Sequence, residues 1–153
     1  MEARKIIGII FSTMAVLFSA IFVLQSNLSF DLKEYFDFSF KSYFSLAYLR
    51  EITPLIICLI LLYGGVLLII KPAKSNPVLA LFGFTVLEEV VFNWFNIITI
   101  DFPMYVVAVF FCCALLAFWI AYSDTINLKR LSFKEGVSSL ILATFINLCS
   151  YYI

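Results

Sequence analysis

Residues Val78 to Ile100 read VLALFGFTVLEEVVFNWFNIITI, an apolar stretch with two adjacent glutamates, Glu88 and Glu89, at its centre. A helix needs about 20 predominantly apolar residues to cross the hydrocarbon core of a bilayer. One acidic side chain at the middle costs about 2.5–3.5 kcal/mol of insertion free energy, so the pair costs about 5–7 kcal/mol before compensation. The stretch therefore predicts a membrane-spanning helix whose two carboxyl groups are sheltered from the acyl chains.

The composition of the whole chain agrees with a membrane protein. Of its 153 residues, 64% are hydrophobic and 13% are charged, whereas a soluble domain has about 25% charged residues. The mean hydropathy is +1.08. Net charge is zero, so the chain lacks the basic surface of a nucleic-acid-binding protein. It contains no histidine, which removes the commonest general base and metal ligand, and nothing in it predicts a cofactor or a metal site.

The apolar segments predict an all-α fold, a polytopic helix bundle in the membrane that forms a single domain. Four spans are expected, over residues 6–24, 52–70, 78–100 and 104–122. The tail, residues 137–153, is near the lower length limit for crossing, and we favour a fifth span over a helix that lies in the interface. Gly64 and Gly65 in the second span are typical of a position where two helices approach closely.

The connection over residues 25–51 is rich in aromatic and charged residues. Such a mixture suits the lipid headgroup zone, so we expect an ordered segment on the membrane surface. Counts of lysine and arginine in the short connections give the orientation, because the more basic side of a membrane protein is cytoplasmic. Seven basic residues fall on one side, namely Arg4, Lys5, Lys71, Lys74, Lys129, Arg130 and Lys134, and three on the other, namely Lys33, Lys41 and Arg50. We therefore expect a plasma or inner membrane protein with a cytoplasmic N-terminus and an outer aromatic loop.

The third span has a polar stripe. At 100° per residue, its polar side chains fall within an arc about 140° wide, and the rest of the circumference is apolar. The members of this stripe are Thr85, Glu88, Glu89, Asn93, Asn96 and Thr99. A stripe of this kind faces protein or water rather than lipid.

The two carboxyl groups can be sheltered in three ways. They can be protonated and hydrogen-bonded, they can pair with a cation, or they can line a hydrated cavity. No predicted span contains an internal lysine or arginine, so a cation would come from a bound ion, a ligand or another protein. Polar side chains in other spans could also face the stripe, although such groups more often bond to backbone carbonyls of their own helix. They are Ser12, Thr13 and Ser19 in the first span and Thr144 and Asn147 in the tail.

These observations favour two functions and disfavour catalysis. The first is a small homo-oligomer that handles cations or protons, because repetition of the stripe around an axis would form a ring of carboxylates like that of a cation pore. The second is a noncatalytic sensor, regulatory, immunity or assembly subunit, which binds a partner membrane protein through the third span and the outer aromatic loop. An enzyme is not expected, because two carboxyl groups 100° apart on one helix do not flank a substrate bond. In a pore the stripes would face a common axis, whereas in a partner-binding subunit they would be hidden within the bundle or against another chain.

Overall fold

The computed structural model describes residues 3–25, 46–97, 103–124 and 130–152, and these residues form helices without any strand. The α-helices are α1 (Ala3–Gln25), α2 (Leu46–Ile70), α3 (Ser75–Trp94), α4 (Met104–Tyr122) and α5 (Phe133–Tyr152), and a short 3-10 helix (Pro72–Lys74) joins α2 to α3. Four candidate membrane spans are Ala3–Leu24, Thr53–Ile70, Pro72–Trp94 and Met104–Tyr122. The predicted all-α membrane bundle with a fifth C-terminal helix is confirmed. The predicted aromatic loop falls mostly on residues 26–45, outside the described part of the chain.

Consecutive helices run in opposite directions. Gly8 near the start of α1 packs against Gly65 near the end of α2, and Gly64 packs against Leu79 near the start of α3. At the same end of the bundle, the Leu131 amide donates to the Ala121 carbonyl oxygen at 2.9 Å, which fixes the turn from α4 to α5. This end therefore carries the start of α1, the end of α2, the start of α3, the end of α4 and the start of α5. Six of the seven basic residues that we assigned to one side lie there, namely Arg4, Lys5, Lys71, Lys74, Arg130 and Lys134.

Helix α2 begins at Leu46, earlier than the expected start at residue 52, so the last part of the predicted loop is helical. Pro54 consequently lies inside the helix and not in its first turn. A proline removes one backbone hydrogen bond from a helix, but neighbouring helices in a membrane bundle make such an interruption tolerable.

Helix α3 ends at Trp94, whereas the sequence predicted a helix as far as Ile100. The Ile97 amide donates to the Phe92 carbonyl oxygen at 2.8 Å, and the Asn96 amide donates to the Asn93 carbonyl oxygen at 3.0 Å. Asn96 has φ 56°, the left-handed conformation that asparagine adopts more readily than most residues. This pair of bonds is the Schellman motif, which satisfies the last free carbonyls of a helix. Asn96 therefore terminates α3 and does not lie on its polar face.

Helix α5 lies parallel to α3 and in register with it. The Ser139 hydroxyl donates to the Pro77 carbonyl oxygen at 3.0 Å, and the Asn147 amide donates to the Thr85 carbonyl oxygen at 3.1 Å. Both contacts join residues 62 positions apart in the chain. The same offset puts Tyr152, the last residue of α5, level with Val90. Helix α5 therefore extends along most of the length of the candidate span in α3.

Helix α5 has a defined beginning and an apolar outer face. The Ser132 amide and hydroxyl donate to the Glu135 carboxylate, and the Glu135 amide donates back to the Ser132 hydroxyl oxygen. This reciprocal arrangement is a capping box, which satisfies amides at a helix N-terminus. Further along, Ile141 and Phe145 are 64% and 63% exposed. Because large side chains this apolar are stable in hydrocarbon, the face suits contact with lipid.

Gly64 and Gly65 contact different helices. A Cβ at Gly65 would lie 2.6 Å from the Ser12 side-chain oxygen and 2.8 Å from the Gly8 backbone oxygen, so α1 and α2 approach with almost no space between them. A Cβ at Gly64 would meet only the end of the Leu79 side chain, at 3.0 Å. The close approach of backbones is thus located at Gly65.

Candidate functional site

The two glutamates of α3 point into different surroundings. Adjacent residues on a helix are 100° apart, so their side chains leave α3 in different directions. Glu88 reaches towards α5, where it meets two polar side chains. Glu89 is 7% exposed and lines a cavity between α1, α2, α3 and α4. Both carboxyl groups therefore lie within the bundle formed by a single chain.

Glu88 is held by two hydrogen bonds from α5. The Thr144 hydroxyl and Glu88 Oε1 are 2.7 Å apart, a short distance for this type of bond. The Asn147 Nδ2 group donates to Glu88 Oε2 at 3.2 Å. The expectation that Thr144 and Asn147 could face the polar stripe is confirmed.

Among the three side chains of this network, that of Asn147 is the most buried. Its side chain is 1% exposed, and its Nδ2 group donates both to Glu88 and to the Thr85 carbonyl oxygen. An amide nitrogen carries two hydrogens, so these two bonds use both of them. Asn147 Oδ1 accepts no hydrogen bond from the described part of the chain. The network thus has one further acceptor.

Thr144 is placed between two oxygen atoms. Its Oγ1 lies 2.7 Å from Glu88 Oε1 and 3.0 Å from the Leu140 carbonyl oxygen, one turn earlier in α5. A threonine hydroxyl has one hydrogen to donate and can also accept. The acceptor to which Thr144 donates its hydrogen therefore depends on the protonation of Glu88.

The cavity beside Glu89 is small and almost wholly apolar, with a volume of about 40 Å³. Each of the four surrounding helices contributes side chains, among them Phe18 on α1, Ile57 and Cys58 on α2, Val86 on α3 and Phe110 on α4. The Glu89 carboxyl and the Cys58 thiol supply the polar side-chain atoms of this lining. A buried water typically needs two to four polar partners, so the space suits an apolar group better than a chain of waters.

The structure places the remaining residues of the predicted stripe as follows. Thr85 is fully buried, but its hydroxyl bonds to the Leu81 carbonyl oxygen of its own helix, and only its backbone carbonyl takes part in the network. Asn93 is exposed on the last turn of α3. Asn96 ends the helix, and Thr99 lies outside the described residues. The site that the structure assembles is therefore Glu88, Thr144 and Asn147, with Glu89 on the other side of α3.

Sequence reasoning did not identify Cys58 and the aromatic residues Phe18 and Phe110 as neighbours of Glu89. The ring centroids of Phe18 and Phe110 are 4.7 Å apart, on the side of the cavity formed by α1 and α4. No periodic signal could have indicated them, because apolar residues are frequent on every face of these helices. Thr13 and Ser19 of α1, by contrast, bond to carbonyls of their own helix and are not part of a site.

The arrangement limits the chemistry that the site can perform. Within the described residues, no three histidine, cysteine, aspartate or glutamate side chains are grouped closely enough to hold a metal ion. The two carboxyl groups diverge, so they do not face each other across a substrate. What remains is a partly buried acid, Glu88, that is hydrogen-bonded to a hydroxyl and an amide. A search with protein-family models, with curated proteins and with solved structures gives no match to this chain, so its function is argued from the site alone.

Proposed function

We propose that the chain is a noncatalytic membrane protein that handles protons at its buried carboxyl pair, as a sensor or regulatory subunit and not as a pore. One observation carries this proposal: Glu89 is buried inside a single chain's bundle, and the partly buried Glu88 is hydrogen-bonded to α5 of the same chain. A cation pore built from a ring of carboxylates needs those groups on the surface that faces the common axis. Here Glu89 is buried, and Glu88 is bonded to α5.

The absence of an intramembrane cation supports proton handling over metal-ion handling. No lysine or arginine lies within the described parts of the spans at the depth of the glutamates. A carboxyl group in apolar surroundings without a cation is more stable when it is neutral. A proton is the smallest cation that can neutralise it, and it needs no coordination shell.

We also propose that α5 crosses the membrane. It runs in register with α3, and its outer residues Ile141 and Phe145 are exposed. Five crossings would put the end of α5 on the side of the membrane opposite to the start of α1. The basic residues collected at the start of α1 and α5 support a cytoplasmic location for that end.

Proton handling is tested by two measurements on the full chain. In lipid nanodiscs, a pH jump in weakly buffered solution should release protons from the wild type that the Glu88→Gln/Glu89→Gln variant does not release. In liposomes with a trapped pH-sensitive dye, neither protein should dissipate a pH gradient faster than protein-free vesicles. Equal proton release by both proteins would refute the proposal, and a flux that depends on the glutamates would replace the sensor with a pore.

A second candidate function, a subunit that binds a partner membrane protein, is favoured by the end of α3. Trp94 is 82% exposed and its ring stacks on Phe95, with Met104 83% exposed at the neighbouring start of α4. Aromatic residues of this kind either anchor a helix at the lipid interface or form the centre of a protein interface. A photo-crosslinking residue at position 94 should capture a protein in cells if this candidate is right, while the same residue at position 119, on the lipid-exposed face of α4, should capture none.

A further inference from the structure

We propose that Glu88 is the proton-binding site and that the bound proton holds α5 against α3. This inference rests on the proposed proton handling and assigns it to one atom, Oε1 of Glu88. The hydrogen bonds between Glu88, Thr144 and Asn147 carry it, since each hydrogen of this network has its own acceptor when the carboxyl group is neutral.

The hydrogen count around Thr144 gives the first step. With a proton on Oε1, Glu88 donates to Thr144 Oγ1 over 2.7 Å, and Thr144 donates its own hydrogen to the Leu140 carbonyl oxygen over 3.0 Å. Each hydrogen then has one acceptor. Without that proton, Glu88 Oε1 and the Leu140 carbonyl oxygen compete for the single hydrogen of Thr144. The threonine must then give up its bond to Leu140 or its bond to the carboxylate.

The other carboxyl oxygen completes the pattern. Oε2 is the carbonyl oxygen of the protonated acid, and it accepts from Asn147 Nδ2 at 3.2 Å. The second hydrogen of the same amide is given to the Thr85 carbonyl oxygen at 3.1 Å. Glu88 therefore donates once and accepts once, as a neutral carboxylic acid does.

Among the described side chains, the charged form of Glu88 has no cationic neighbour at its depth. The titratable or charged groups with described side chains on α3, α2, α4 and α5 are Glu89 on α3, Cys58 and Tyr63 on α2, Tyr105, Cys112, Cys113 and Tyr122 on α4, and Lys134, Glu135 and Cys149 on α5. The only cation of this set, Lys134, precedes Thr144 by ten residues, about 15 Å along the helix axis. A negative Glu88 would therefore be stabilised by two hydrogen bonds alone, in surroundings of low dielectric constant.

Loss of the proton should act on α5 in particular. This helix is joined to α3 by the bond from Ser139 to Pro77 at one end and by the Glu88 network further along. Its outer face is apolar and exposed. A carboxylate in the contact between the two helices would be stabilised by water. Glu88 is only partly buried there, and more water reaches it if that part of α5 moves away from α3. The expected response to alkaline pH is thus a local opening at Thr144 and Asn147, with α1 and α2 unchanged.

Infrared spectroscopy of the full chain in lipid nanodiscs tests the assignment, because a protonated carboxylic acid has a carbonyl stretch that a carboxylate lacks. At neutral pH, Glu88→Gln should remove such a band from the wild-type spectrum. Thr144→Val should shift the same band, since it removes the hydrogen-bond partner. Thr13→Val on α1 is the matched control: Thr13 makes the same bond to a carbonyl one turn earlier but touches no carboxyl group. A band unchanged by Glu88→Gln, or equal shifts in the two threonine variants, would overturn the proposal.

Hydrogen exchange of the α5 amides tests the consequence. At alkaline pH, residues 140–149 should exchange several-fold faster in the wild type than in Glu88→Gln measured at the same pH, while at neutral pH the two should agree. Glutamine has the shape of the neutral acid and can donate to Thr144, so this variant should fold like the wild type. Equal exchange at both pH values would contradict the role of the proton in holding α5.

The two proposals can fail separately. If proton release in nanodiscs is lost in Glu89→Gln and retained in Glu88→Gln, proton handling stands and the assignment to Glu88 is wrong. The opposite failure is also possible. If neither glutamate variant changes proton release over the accessible pH range, but Glu88→Gln removes the infrared band, then Glu88 is permanently protonated. The sensor function is then wrong.

Discussion

Replacing Asn147 with leucine should destabilise the attachment of α5 by about 1–3 kcal/mol. Leucine has the same branching and the same number of side-chain heavy atoms as asparagine, so the buried position stays filled, although its methyl groups are larger than the amide atoms that they replace. The change removes the hydrogen bonds of 3.1 Å and 3.2 Å to the Thr85 carbonyl oxygen and to Glu88. Hydrogen bonds between membrane helices average about 0.6 kcal/mol and reach about 1.7 kcal/mol. Two of them therefore give the stated range.

The assay is the equilibrium unfolding of the full chain in mixed micelles, with the same replacement at Asn93 as the control. Asn93 is exposed on the last turn of α3. Substitutions at exposed positions usually change the unfolding free energy by about 0.5 kcal/mol, so Asn93→Leu should destabilise the protein less than Asn147→Leu. The reasoning would be refuted if Asn147→Leu were no more destabilising than Asn93→Leu.

A double-mutant cycle separates the bond to Glu88 from the bond to the backbone. Asn147→Leu, Glu88→Leu and their combination should be non-additive by about 0.6 kcal/mol, because the two side chains share one bond. Additive effects would mean that Asn147 acts only through the Thr85 carbonyl, and the Glu88 network would then contribute nothing to the attachment of α5.

Three further predictions concern the fold. Gly65→Ala should lower the free energy of unfolding by about 1–3 kcal/mol, because the new Cβ meets backbone atoms of α1. Gly64→Ala should lower it less, because the nearest atom to its Cβ belongs to the end of the flexible Leu79 side chain. Equal losses of stability would contradict the contact geometry. Asn96→Gly should leave the stability of α3 nearly unchanged. Asn96→Val should lower it by about 1–2 kcal/mol, because a β-branched residue is strained at φ 56°. Thermal unfolding of the two variants measures the difference. Reporter domains fused before Met1 and after Ile153 should be found on opposite sides of the membrane if α5 crosses it, and a shared side would refute the fifth span.

The candidate site was only partly predictable from the sequence. A helical wheel places Glu88 and Glu89 on one polar face, but it does not show that they point at different neighbours. Thr144 and Asn147 were foreseen as possible contacts because polar side chains in a membrane helix need partners. Asn96 was assigned to the polar face because its periodicity fits, yet its left-handed conformation ends the helix before that face continues. Asparagine is among the residues favoured at the end of a helix, so the sequence did contain a signal for termination. The apolar residues that follow Asn96 indicate instead that the span continues, and the prediction followed them.

The amino-acid sequence by itself determined the fold class, the four most apolar helices and the need to shelter two acidic groups, because burial in lipid depends on composition and length. Only the tertiary structure decided the place of the tail. Its polar residues Ser139, Thr144 and Asn147 lower its hydropathy and make it resemble an interfacial helix, but they are the groups that bond to α3. Hydropathy treats each polar group as if it faced lipid alone. The free-energy cost of burying a polar group falls once a neighbouring helix supplies its hydrogen-bond partners. This compensation depends on contacts between residues that are far apart in the chain.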